Sequence, residues 1–130
     1  MRFTKIRLTK DASNRLRFLA GRTGLTPNLL CRIGFCLSLE ETKIPNPSEF
    51  AEEEREFNRY TLLGEYDVLY IALLQQRLHE DGLGVDDLEG YFRAHLNRGI
   101  SLLQQRVRSV ADIANLVPSD RITSGHSAKP

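Results

Sequence analysis

Apolar residues recur along most of this chain at helical spacing, and the first break in that pattern is at its beginning. From Arg2 to Leu8 the period is two: Phe3, Lys5 and Arg7 alternate with Thr4, Ile6 and Leu8, which reads as a short strand or an extended arm. A lone strand cannot pair with itself, so a strand here needs a partner, and the same segment of a second subunit is one candidate. Thr9 or Asp11 can cap a helix running to about Thr23, with Ala12, Leu16, Leu19, Ala20 and Thr23 on one face and Gly24 to end it. Thr26 followed by Pro27 starts a second helix, to about Leu39. Its apolar members Leu29, Leu30, Ile33, Phe35, Cys36 and Leu37 cover enough of the circumference to predict burial.

Lys43-Ile44-Pro45-Asn46-Pro47 breaks this helix, because each proline holds the residue before it extended. Ser48 then restarts a short acidic helix, with Phe50, Ala51, Glu54 and Phe57 along one edge among Glu49, Glu52, Glu53 and Glu56. Asn58 to Glu65 reads as a loop or kinked turn. The near-continuous apolar run that follows predicts a helix from about Tyr66 to His79, buried on most of its circumference and central to the core. Asp81-Gly82-Leu83-Gly84 ends it. Asp86, with Glu89 three later, caps the next helix, whose broad stripe is Leu88, Tyr91, Phe92, His95, Leu96, Ile100, Leu103 and Val107, with Gly99 as a point of close approach to a neighbour. Ser109 caps a last short helix through Val117, and Pro118 stops it. The fold class is therefore mainly α: a compact single-domain bundle of about five helices over residues 1–117, with an N-terminal strand or arm, and a disordered tail over 118–130.

Composition narrows this little. Of 130 residues, 41% are hydrophobic and 27% charged, which suits a globular domain, and no apolar run approaches the roughly 20 residues of a membrane span. No apolar signal centre interrupts the polar N-terminus, so a cytoplasmic protein without membrane contact is expected. Cys31 and Cys36 are five apart, about 140° around a helix, which disfavours a disulfide or a shared metal and favours reduced core thiols.

Charge changes the picture more. The net value of +1 conceals three bands: nine basic against three acidic side chains over residues 1–43, three against twelve over 44–90, and six against two over 91–130. A basic N-terminal band is the electrostatic footprint of a surface that neutralises phosphates, and its candidate contacts are Lys5, Arg7, Lys10, Arg15, Arg17 and Arg22. Only Phe3 and Phe18 are interleaved with it, so contacts to duplex backbone are favoured over stacking on single strands. The acidic run Glu52-Glu53-Glu54-Arg55-Glu56 reads as a solvated helical face or as a partner for the basic band of another subunit, since consecutive helical residues do not converge on a metal.

Catalytic chemistry finds no support. His79, His95 and His126 are scattered, and His95 on an apolar stripe reads as a core or interface residue. Gly82 and Gly84 lack the glycine and lysine of a phosphate-cradling loop. Tyr60 and Tyr66 read as buried or interfacial side chains and not as nucleophiles. No catalytic, metal-binding or cofactor-binding residue is assigned.

Three stretches carry a family likeness: Thr23-Gly24-Leu25-Thr26-Pro27-Asn28, the run Phe57-Asn58-Arg59-Tyr60-Thr61-Leu62-Leu63-Gly64-Glu65-Tyr66-Asp67-Val68-Leu69-Tyr70-Ile71-Ala72-Leu73-Leu74, and Phe92-Arg93-Ala94-His95-Leu96-Asn97-Arg98-Gly99-Ile100. Together they resemble the DndE family of DNA phosphorothioation (DNA sulfur-modification) proteins, over about Ile6 to Leu116. The resemblance implies a small helical protein that assembles as a homotetramer, binds duplex DNA with a preference for nicked duplex, and works beside the other sulfur-modification proteins of its bacterial system. Two other readings stay open. The strand, helix, Gly-Leu-Thr-Pro turn and second helix also resemble ribbon-helix-helix repressors, in which Phe3, Lys5 and Arg7 would read bases. A purely structural assembly subunit is the third.

Overall fold

The computed structural model describes residues 3–51 and 55–116. Its elements are β1 (Lys5–Leu8), α1 (Lys10–Thr23), α2 (Pro27–Glu40), β2 (Arg55–Asn58), α3 (Arg59–Leu63), α4 (Asp67–Glu80) and α5 (Leu88–Arg106), with 3₁₀ turns at Pro47–Phe50, Gly64–Tyr66 and Val110–Leu116. The fold is mainly α, as the sequence pattern predicts.

The centre of the molecule is the pair α2 and α5, which share the most extensive contact. Two glycines let their backbones touch. A Cβ on Gly34 would stand 2.9 Å from the carbonyl carbon of Gly99, and a Cβ on Gly99 would overlap the carbonyl oxygen of Gly34. Gly99 is thus the close-contact point that its place on the apolar stripe suggests. Beside this crossing Phe35 stacks on Phe92 with ring centroids 4.6 Å apart. Leu30, Phe35, Phe92, Leu96, Ile100 and Leu103 lose all or nearly all exposure there.

The helix ends follow local chemistry. The hydroxyl of Thr9 accepts from the Ala12 N–H, that of Thr26 from the Leu29 N–H, and Gly24 takes the left-handed conformation with φ 74° that closes α1. Asp87, and not Asp86, caps α5, accepting from the Gly90 N–H. Asp112, not Ser109, organises the last turn, where its carboxylate accepts from the Arg108 and Ser109 N–H groups.

Three expectations are corrected. The acidic helix expected from Ser48 to Phe57 is a 3₁₀ turn over Pro47–Phe50 followed later by β2; Glu52, Glu53 and Glu54 lie outside the described residues. β2 runs antiparallel to β1, with Ile6 opposite Phe57 and Arg7 opposite Glu56. Tertiary pairing overrides a helical pattern less than three turns long. For the same reason β1 finds its partner within the chain. Its other edge is held by Asn97 of α5, whose side chain accepts from the Thr9 N–H at 2.8 Å and donates to the Arg7 carbonyl.

Third, α4 is not the buried centre. Ile71, Leu74, Arg77 and Leu78 face inward, while Val68 is 80% and Leu69 53% exposed, with Tyr66 and Leu73 open beside them. An apolar run signals burial only where both sides of the helix meet other elements, and here one side meets none among the described residues. The stretch read as a loop, Asn58 to Glu65, holds α3, capped by the Asn58 side chain, which accepts from the Tyr60 and Thr61 N–H groups.

Candidate nucleic-acid interface

α1 buries Ala12, Ser13, Leu16, Leu19 and Thr23 against the α2 and α5 core. With 3.6 residues per turn, the remaining positions apart from the half-buried Ala20 form two outward rows, Lys10-Asn14-Arg17-Gly21 and Asp11-Arg15-Phe18-Arg22. Four cations therefore share a helix face with a single carboxylate. Lys10, Arg17 and Arg22 are exposed and Arg15 is half-buried. Arg17 stands 3.4 Å from the Asn14 side-chain oxygen. The Arg22 guanidinium lies over the Phe18 ring, 5.4 Å from its centroid. Arg15 is the most constrained: its Nε donates to Asp11 at 2.8 Å and a terminal nitrogen donates to Gln104 of α5. This orders the guanidinium along the helix surface without removing it from solvent.

Lys5 and Arg7 occupy a different element. They project from the outer face of β1, and the carboxylate of Glu56 on β2 sits between them, 3.6 Å from Lys5 Nζ and 3.5 Å from Arg7 Nε. The six candidates thus divide into four on one helix face and two on a strand where an acid offsets part of the charge. Exposed pairs at such distances are weak and screened by salt, so this carboxylate restrains the two cations without locking them.

Other functional groups are turned to structural use. The Ser38 hydroxyl and His95 Nδ1 are 2.8 Å apart, a serine and histidine in hydrogen-bond contact, yet both are wholly buried. Burial, then the charges of Arg98 and Arg77, hold the His95 pKa down at about 3, so the ring cannot act as a base on an outside substrate near neutral pH. Burial pushes the Cys31 thiol up to about 12, and Cys36 is raised by burial and by Glu40. Both cysteines are free. Tyr60 and Tyr66, expected to be buried or interfacial, are about half exposed in the single chain; the Arg59 guanidinium lies 4.4 Å from the Tyr60 ring centroid.

A family profile described as "DNA sulphur modification protein DndE" matches residues 5–111. The chain belongs to the DndE family. Its fold is similar to the crystal structure of DndE from Escherichia coli B7A, described as involved in DNA phosphorothioation modification, with TM-score 0.63 and 26% identity over 79% of this chain and 99% of that one. The crystal structure of a DndE G21/24K mutant, involved in DNA phosphorothioation, gives TM-score 0.61 and 22% identity over 79% and 98% of the two chains. No curated protein sequence matches.

Within this DndE-family chain, three further arginines, which the charge bands do not single out, join elements or border the basic strand. Arg59, 2% exposed, donates to Asp67 and to the Phe3 carbonyl, fixing where β1 begins. Arg77 binds the end of α2. Arg93 of α5 lines a cleft beside Lys5 and Arg7. The only signal for Arg93 was its place in the third resemblance stretch.

Proposed function

We propose that this DndE-family chain is the non-catalytic DNA-binding component of a bacterial DNA phosphorothioation system, seating duplex backbone on the outer face of α1 with a preference for nicked duplex. The observation that carries the reading is the face itself: Lys10, Arg15, Arg17 and Arg22 against one acid, on a chain whose net charge is only +1. Cations on a helix exterior contact phosphates without reading bases, so binding is largely indifferent to sequence. An interrupted duplex bends at lower cost onto a fixed surface, which is the physical basis for preferring a nick. The same reading makes the chain a cytoplasmic homotetramer, for which the exposed apolar side of α4 offers contact surface, and a companion of the other sulfur-modification proteins. Intrachain pairing of β1 with β2 weighs against the ribbon-helix-helix alternative, which needs β1 to pair across two subunits.

The test is fluorescence anisotropy on intact, nicked and single-stranded oligonucleotides of one sequence across a salt series. Tightest binding to nicked duplex, weakening steeply with salt, is expected. Replacing Arg15, Arg17 and Arg22 together by glutamate abolishes it in a folded, assembled protein; unchanged affinity in that variant moves the DNA surface off α1.

A further inference from the structure

A cleft runs between β1 and the first turns of α5, lined by Phe3, Lys5, Ile6, Arg7, Glu89 and Arg93. Arg93 lies one turn before Asn97, the residue that holds the outer edge of β1, so α5 delivers its guanidinium to the strand carrying Lys5 and Arg7. Three cations and one carboxylate face this space.

The state of Arg93 is unusual. Its Nε is shut off from solvent and has no hydrogen-bond partner among the described residues. One terminal nitrogen reaches the Pro47 carbonyl, but only at 3.4 Å. A guanidinium N–H removed from water and left unbonded costs free energy, and such a group in a native fold calls for an acceptor. Meanwhile Glu56 stands against Lys5 and Arg7 at distances longer than a good charged hydrogen bond. Its carboxylate, on the neighbouring strand and outside the cleft lining, competes for Lys5 and Arg7 through these loose contacts, while Glu89 is the acid within the cleft.

We propose that this cleft is a phosphate-binding subsite, in which Arg93, Lys5 and Arg7 supply the donors, Glu89 is the acid within it, and Glu56 competes for Lys5 and Arg7 from the neighbouring strand. A phosphate group offers several acceptor oxygens to a guanidinium fork, a second guanidinium and an ammonium, which a single carboxylate cannot match. On the DNA reading above, on which this assignment of its natural ligand rests, the group is a backbone phosphate and the cleft is a second contact point beyond α1. The shared chemistry also admits free inorganic phosphate.

The experiment uses the full chain with Arg93→Gln and Glu56→Gln. Anisotropy on labelled duplex across a salt series is expected to show Arg93→Gln weakening binding about threefold to tenfold and lowering the salt slope by about one. Glu56→Gln strengthens binding at low salt, with the gain fading at high salt, and a gain cannot arise from misfolding. Thermal shift with inorganic phosphate, against chloride at matched ionic strength, separates the sources: stabilisation of wild type and not of Arg93→Gln assigns the cleft to phosphate in general. Absence of that shift, with loss of duplex affinity in Arg93→Gln, assigns it to backbone phosphate. Unchanged affinity and slope in a folded Arg93→Gln, with the α1 triple variant dead, overturns the subsite and leaves the α1 reading intact. If wild type binds no DNA yet phosphate stabilises it through Arg93, the DNA reading falls and the subsite stands.

Discussion

Ser38, His95 and Arg98 form a buried chain whose hydrogen positions follow from its donors. Arg98 Nε can only donate, and it donates to the Ser38 hydroxyl oxygen at 2.8 Å. That leaves the hydroxyl hydrogen for His95 Nδ1, so the ring carries its own hydrogen on Nε2, which is buried without a partner among the described residues. A second proton would have to enter a buried site and, secondarily, beside Arg98 and Arg77, and the pKa accordingly falls from 6.5 to about 3. The sign of the consequence is definite. Between those values the unfolded chain binds a proton that the folded chain refuses, so the stability is fully present above pH 6.5 and is lost as pH falls, by up to ~1.4 kcal/mol per unit until the folded ring itself titrates. Urea midpoints of wild type and His95→Gln between pH 7.5 and 5 check this, with the wild-type curve falling more steeply by about one proton. Parallel curves would mean that His95 keeps an ordinary pKa in the fold.

At the scale of elements, one side chain ties the end of α2 to α4. Arg77 donates to the carbonyls of Leu39, Thr42 and Lys43 at 2.8, 3.3 and 3.1 Å and pairs with Asp81 at 2.8 Å, while only 7% exposed. It thus satisfies the acceptors left over where α2 ends, and its charge suits the negative end of that helix. Arg77→Met should cost about 3–5 kcal/mol in urea unfolding, because it strands a buried carboxylate and several carbonyls. Arg77→Lys should recover little, since one ammonium cannot span those positions; near-complete recovery would show that charge alone matters. The pair with Asp81 is a local one, but the carbonyl contacts were not legible from sequence, because those partners of Arg77 are more than thirty residues away. What was legible is local: Thr9, Gly24, Thr26 and Pro27 announce α1 and α2 by chemistry within one turn. β2 was missed because four residues carry little period of their own and its register is set by β1. The basic band was visible as a composition, yet its division into an open α1 face and a Glu56-tethered strand was not, since the sheet decides which acid meets which cation.

Over the whole molecule, three acids of the middle band are tied to cations inside the chain. Asp67 and Asp81 answer Arg59 and Arg77, and Glu56 answers β1. Outside that band, Glu41 meets Arg106 at 3.0 Å. The proposed assembly needs a contact surface, and the outward side of α4 offers one. Tyr66, Leu69 and Leu73 recur at spacings of three and four with Val68 beside them, all between 40 and 80% exposed. Single exposed apolar residues need no account, but a contiguous helical stripe marks a contact surface. Leu69→Glu with Leu73→Glu should leave the helical content unchanged, since neither side chain is buried in the single chain. Light scattering after size exclusion should then report a smaller species than wild type, because each charge would have to be buried in the assembly. Duplex affinity should fall in step, as separated α1 faces lose the mutual reinforcement of several phosphate contacts on one DNA. An unchanged mass would place the subunit contact on another surface; a reduced mass with undiminished affinity would show that one α1 face suffices.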